Sequence, residues 1–275
     1  MLRRCLIALF CCLLASAYAQ AKDAADHPFG KALRVESSAE GGRHQGEIRA
    51  VIEQPHSVVA PALGRAAHWC EILTLQVNIK RCTSNSESLT AFITRKPRDP
   101  VDSAHRIDFR FQVSPTNADS LQVALSAPAG PVGTRDYEIR LEAVPLDAQR
   151  TSIRMTYAYT LGIMARLAME AYLSGAGREK VGFSVVERLP DGRAVYVDGV
   201  RGVVERSAMR YYLAIAATVE ALSIPPTQRL DARARSWYAA ITRYPQLREQ
   251  VGADEYVEMK RREASLPPVT APRAG

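Results

Sequence analysis

Histidine is scarce in this chain. There are five in 275 residues, and His27, His44, His56, His68 and His105 are scattered along it. No two are spaced as on a zinc-binding helix. No glycine-rich phosphate loop is present, and no serine sits in a nucleophile elbow. These absences argue against the common hydrolases, although distant residues can still meet in a cavity. They leave no cofactor and no metal ion to expect. His27 and His44 fall in a loosely patterned lead. His56 and His68 flank a helical segment, where capping or surface roles suit them better than acid–base work. Long apolar runs are missing too. After residue 19 nothing is long and apolar enough to cross a bilayer, which takes about 20 residues. No internal repeat is present.

What the chain does have begins at its first residue. Met1-Leu2-Arg3-Arg4 is a short basic start, Leu6 to Ser16 is uncharged and apolar, and Ala17-Tyr18-Ala19 is a small-x-small site before Gln20. That is the layout of a secretory signal peptide, with cleavage expected after Ala19. No lipid-attachment cysteine follows. A released periplasmic or secreted protein is therefore expected, with no transmembrane segment in its mature form. Losing Arg3 and Arg4 lowers the net charge from +7 to +5. The basic residues form no tight block, and an exported chain does not meet the genome, so no nucleic-acid partner is expected. The remaining charge fits a solvated surface, or attraction to anionic polymer or lipid in the envelope.

Cys5, Cys11 and Cys12 leave with the leader, so Cys70 and Cys82 remain. In an oxidising compartment an isolated pair reads as a disulfide. Such a loop is worth roughly 3 kcal/mol of chain entropy. A catalytic thiol beside His68 is the rival reading. A zinc site is a weaker one, because two cysteines and one histidine are too few ligands.

Residues 20–45 are polar and aperiodic around Gly41-Gly42 and read as a flexible lead. From Gly46 apolar residues alternate through Ile52. Ser57 to Leu73 has helical spacing, with Pro61 tolerated in its first turn. Alternation returns at Leu75–Lys80, Leu89–Thr94, Arg106–Val113, Leu121–Leu125, Asp136–Ala143 and Ser152–Tyr159. Each segment has one dry and one wet face. Polar turns join them, which implies an antiparallel meander. Leu161–Leu173 reads as a helix, with an Arg166–Glu170 pair, ended by Gly175 and Gly177. A hairpin follows around Pro190-Asp191-Gly192. A long helix spans Gly202 to Leu222, with the stripe Val204, Ala208, Tyr211, Ile215, Val219 and Leu222. Helices near Thr227–Arg243 and Ala253–Glu263 follow, then a proline-rich tail.

A single antiparallel sheet must cover its apolar face, and the long helix is the natural cover. This order resembles the START-like, or helix-grip, superfamily. The likeness is carried by Gly46–Ile52, Ser57–Leu73, the strands between Leu75 and Tyr159, and the Gly202–Leu222 helix. It implies an α+β fold: a curved antiparallel sheet gripping a long helix around an apolar cavity. Two features depart from the family: the insertion Leu161–Val197 and the helices after Pro226. The expected organisation is a signal peptide at 1–19, a lead at 20–45, a START-like domain at 46–222, a helical extension at 223–263 and a disordered tail at 264–275.

Tyr137, Met155, Tyr157 and Tyr159 would share the dry face. They suit either a pocket wall or solid core. Arg206 and Arg210 lie four apart near the start of the long helix, with Arg201 close by. Like charges there need an acidic partner. A protein carboxylate such as Glu205, Asp198 or Asp136 would serve, and so would an anionic group on a ligand. Three functions follow. The first is binding of an apolar or lipid-like molecule, with Tyr137, Tyr157 and Tyr211 lining the cavity and Arg206 or Arg210 steadying a polar head. The second is a cyclase- or esterase-like enzyme on the same scaffold. The third is an envelope protein-interaction module docking through the Pro226–Glu263 helices.

Overall fold

The computed structural model describes residues 33–117 and 119–266. The leader, residues 20–32 of the lead and residues 267–275 of the expected tail lie outside the described residues, while Ala264, expected in the tail, ends the last helix. The first strand, β1 (Leu33–Glu40), forms a hairpin with β2 (Arg43–Ile52). The expected flexible lead is corrected here: residues 33–40 are paired along their whole length with β2. Only Leu33 and Val35 of β1 are buried, so its apolar signal is short. The overlooked cue is Gly41-Gly42. Both residues have positive φ, +55° and +81°, as a two-residue hairpin turn requires.

The helical stretch after β2 is two helices, α1 (His56–Leu63) and α2 (Ala66–Thr74), broken at Gly64-Arg65. Then come β3 (Ile79–Ser84), β4 (Ser88–Ile93), β5 (His105–Asn117), β6 (Ser120–Ala129), β7 (Thr134–Pro145) and β8 (Thr151–Leu161). The strand expected at Leu75–Lys80 starts only at Ile79. The carbonyls of Leu75 and Gln76 are taken by the Tyr256 hydroxyl (2.6 Å) and the Lys260 ammonium (2.7 Å), not by a neighbouring strand. Tertiary partners override the local alternation at that point.

The eight strands make one antiparallel sheet in the order β1-β2-β8-β7-β6-β5-β4-β3. Its inner face is the dry one: Ile48, Phe109, Leu125, Leu141 and Met155 are all buried. After β8 the insertion forms helix α3 (Ile163–Ser174) and a small hairpin, β9 (Val185–Arg188) with β10 (Ala194–Tyr196). The long helix α4 (Gly199–Glu220) then lies against β1, β2 and β8. Val204, Ala208, Ile215 and Val219 of its expected stripe are buried, while Tyr211 and Leu222 are half-buried. Gly46 permits the close approach. A Cβ there would stand 2.8 Å from the Val204 carbonyl oxygen.

Helices α5 (Arg229–Thr242) and α6 (Ala253–Ala264) complete the chain. Ala234, Trp237, Ile241, Tyr256 and Val257 bury their inner faces. Among the described residues, no large apolar side chain of α5 or α6 is exposed. The apolar patch that an envelope-docking module needs is therefore not on these helices. Exposed apolar side chains are found instead on α3, where Ile163, Met164 and Leu167 are 74%, 77% and 51% exposed. Cys70 of α2 and Cys82 of β3 form a disulfide, so the free-thiol and zinc readings fall away. No helix among the described residues is long and apolar enough to cross a membrane.

Candidate functional site

Between the sheet and α4 lies a cavity of about 770 Å³, open to solvent on the side of the 95–99 and 248–251 loops. Its apolar wall comes from inward positions of the strands: Ile93 of β4, Ile107 and Phe109 of β5, Ile139 of β7 and Tyr157 of β8. Met169 and Tyr172 of α3 line it from one side. Val203, Arg206, Ser207, Arg210 and Tyr211 line it from α4. Volumes of ~300–1,000 Å³ are those of small-molecule sites.

Tyr137, Tyr157, Tyr211, Arg206 and Arg210 all border this space. The tyrosines form a connected group. Tyr157 and Tyr211 have ring centroids 5.1 Å apart, and Tyr137 stacks on Tyr159 at 5.6 Å. A register shift between Arg135 and Glu138, with Asp136 at φ 54°, interrupts the β7–β8 ladder beside Tyr137. Such bulges re-aim side chains next to sites. The Tyr137 hydroxyl donates to Thr134 Oγ1 at 2.9 Å. The hydroxyls of Tyr157 and Tyr211 have no hydrogen bond to any described residue. Burial pushes the phenols of Tyr157 and Tyr211 above their usual value, so they stay neutral donors at ordinary pH.

The two arginines differ. Arg210 Nε donates to Glu249 Oε1 at 2.9 Å, and its Nη2 lies 2.7 Å from the same oxygen. Arg206 has no hydrogen bond and no ion pair among the described residues, although it is half-buried. Burial, and then the neighbouring Arg210, push its guanidinium down to about 10. The expected partners are corrected. Glu205 is wholly buried and accepts from Ser37 Oγ, Ser184 Oγ and the backbone N–H groups of Phe183 and Ser184. Arg201 turns to Ser37, where its Nη2 donates to the carbonyl oxygen at 3.0 Å. Asp136 pairs with Arg135 at 3.5 Å.

Glu249 was beyond the reach of sequence reasoning. It lies 39 positions from Arg210, in the loop between α5 and α6. That loop is held from α5, where the Tyr238 hydroxyl donates to the Val251 carbonyl at 2.7 Å. Trp237 Nε1 of α5 donates to the Arg210 carbonyl at 3.1 Å. From α6, Tyr256 and Lys260 pin the 75–79 segment, part of which lines the cavity. The C-terminal helices thus build one wall of the site.

No protein-family model matches the chain, and no curated protein matches it. Solved structures resemble it at low identity. The Zhui aromatase/cyclase from a Streptomyces species matches at 12% identity over 65% of this chain and 94% of that one, with a TM-score of 0.37. A START superfamily protein from Mycobacterium smegmatis matches at 13% over 49% and 89%, with a TM-score of 0.33. The di-domain ARO/CYC BexL from the BE-7585A biosynthetic pathway matches at 11% over 49% of this chain, with a TM-score of 0.34, and this chain spans 42% of it. Likeness at this level carries nothing about ligand or reaction. The architecture itself, one eight-stranded antiparallel sheet with a long helix seated on its inner face, stands on the strand order and the contacts of α4.

Proposed function

We propose that this protein binds an apolar or lipid-like small molecule in the space between the sheet and α4, and works outside the cytoplasm. The observation that carries the reading is the cavity itself: about 770 Å³, walled by Ile107, Phe109, Ile139 and Tyr157. These side chains form its apolar floor, where Tyr157 meets Tyr211 of α4 with ring centroids 5.1 Å apart. Tyr157 and Tyr211 add hydroxyls free to orient a guest. The Cys70–Cys82 disulfide supports an oxidising compartment.

The test is native mass spectrometry of the protein purified from the periplasm of its own cells, followed by incubation with the neutral apolar fluorophore N-phenyl-1-naphthylamine. The expected results are a co-purifying small molecule and saturable uptake of the fluorophore at one site. Substituting Ile139→Trp, which fills the space, should weaken uptake by about tenfold or more, as a methylene-scale misfit already costs 10–200-fold in apolar pockets. Protein that neither carries nor takes up any apolar molecule would overturn the reading.

A further inference from the structure

We infer that the guest carries one acidic headgroup, a carboxylate or a phosphate monoester, and that Arg206 binds it. This rests on the cavity reading above and names the ligand class for that site. Seven of the cavity-lining side chains are Arg or Lys and two are Asp or Glu, so the lining alone carries +5. The whole sequence carries +7. Positive charge is therefore concentrated where a guest would enter, and such a field draws anions.

Most of these cations are already answered. Arg98 pairs with Glu255 at 2.8 Å, Arg210 pairs with Glu249, and Lys180 sits over the Tyr172 ring at 5.0 Å. Arg95, Lys96 and Arg248 are exposed, so water solvates them. Arg206 is different. It is half-buried, makes no hydrogen bond or close ion pair with a described residue, and stands four positions from a second cation on the same helix, with Glu249 acting on it only from beyond contact distance. A largely desolvated guanidinium with unused N–H donors is costly until an anion arrives. Ile107, Phe109 and Ile139 line the same space and suit a hydrocarbon body. One charged contact on α4 and an apolar wall on the sheet describe a single-headed anionic amphiphile.

The experiment displaces bound N-phenyl-1-naphthylamine with palmitic acid, hexadecyl phosphate and hexadecanol at neutral pH. A charge-assisted contact predicts that one or both acids bind about 10- to 100-fold tighter than the alcohol. The two acids distinguish a carboxylate from a phosphate head. Arg206→Gln should reduce that preference, read as the ratio of acid to alcohol affinity in the same variant, to within about threefold. Arg206→Lys should retain part of it. The charge-neutral double substitution Arg210→Gln with Glu249→Gln asks whether the neighbouring ion pair carries the preference instead, and a preference that remains in it assigns the contact to Arg206. Equal affinity for acid and alcohol in the wild type would overturn the inference while leaving the cavity reading standing. A preference that survives Arg206→Gln but vanishes in the double substitution would overturn the role of Arg206. Failure to bind the fluorophore at all would overturn both readings.

Discussion

Glu263 is one carboxylate set between two buried ammonium groups. Lys80 Nζ lies 2.7 Å from its Oε1 and Lys260 Nζ 2.8 Å from its Oε2. The lysines are 5% and 3% exposed, so water does little for them. Burial pushes the Lys260 ammonium down to about 8, and the Glu263 carboxylate opposes that shift. Lys80 also donates to the Pro97 carbonyl, and Lys260 donates to the carbonyls of Gln76 and Ile79. The cluster thereby ties α6 to β3 and to the rim of the cavity. Glu263→Gln keeps the shape and removes the carboxylate charge that both lysines contact. Breaking a buried pair from one side costs about 3–5 kcal/mol. Urea unfolding at neutral pH should register a loss of that order. A loss below about 1 kcal/mol would mean that water reaches the lysines and that the cluster is not a buried charge network.

At the scale of elements, α3 is the piece of cavity wall held by least. Leu173 is its one buried residue, while Ile163, Met164 and Leu167 face outward. His44 of β2 lies near it. Both ring nitrogens are buried without a hydrogen-bond partner, and Arg166 and Glu170 of α3 act on the ring electrostatically. Burial, and then Arg166, hold the imidazole below its ordinary value, with Glu170 opposing. A lowered folded-state value means that the unfolded chain binds the proton more readily. Stability is therefore fully present above about pH 6.5 and is lost as pH falls from there through the folded-state value. Melting curves between pH 7 and pH 5 should show a larger fall for the wild type than for His44→Phe; parallel falls would clear His44 of the effect. Much of this scale was legible in the chain. The strands from Leu89 to Tyr159, and α4 to α6, follow from periodicity because one face of each is dry. β1 was not legible, since Leu33 and Val35 are its only buried residues and its order comes from pairing with β2. Of the site, the tyrosines and both arginines could be picked out as inward or mismatched residues. Glu249 could not, because nothing local signals a contact made by chain folding across two helices.

For the whole molecule, the Cys70–Cys82 bond asks whether fold stability and cavity shape are one property or two. It joins α2 to β3 across 12 positions, and a loop of that size is worth about 3 kcal/mol through the unfolded state. For a domain of this length each kcal/mol moves the melting temperature by about 2–4 °C. Reduction, or the pair Cys70→Ser with Cys82→Ser, should therefore lower it by about 6–12 °C. Neither cysteine lines the cavity between sheet and α4. The backbone beside them is also fixed independently, by Tyr256 on the Leu75 carbonyl and by Lys260 on Gln76 and Ile79. Below the new melting point, affinity for N-phenyl-1-naphthylamine should thus stay within about threefold, less than 1 kcal/mol. An entropic tether on the unfolded chain gives this separation: the melt shifts and the site does not. Collapse of affinity in the folded, reduced protein would instead make the disulfide part of the cavity wall. α6 could then not hold the 75–79 segment without it.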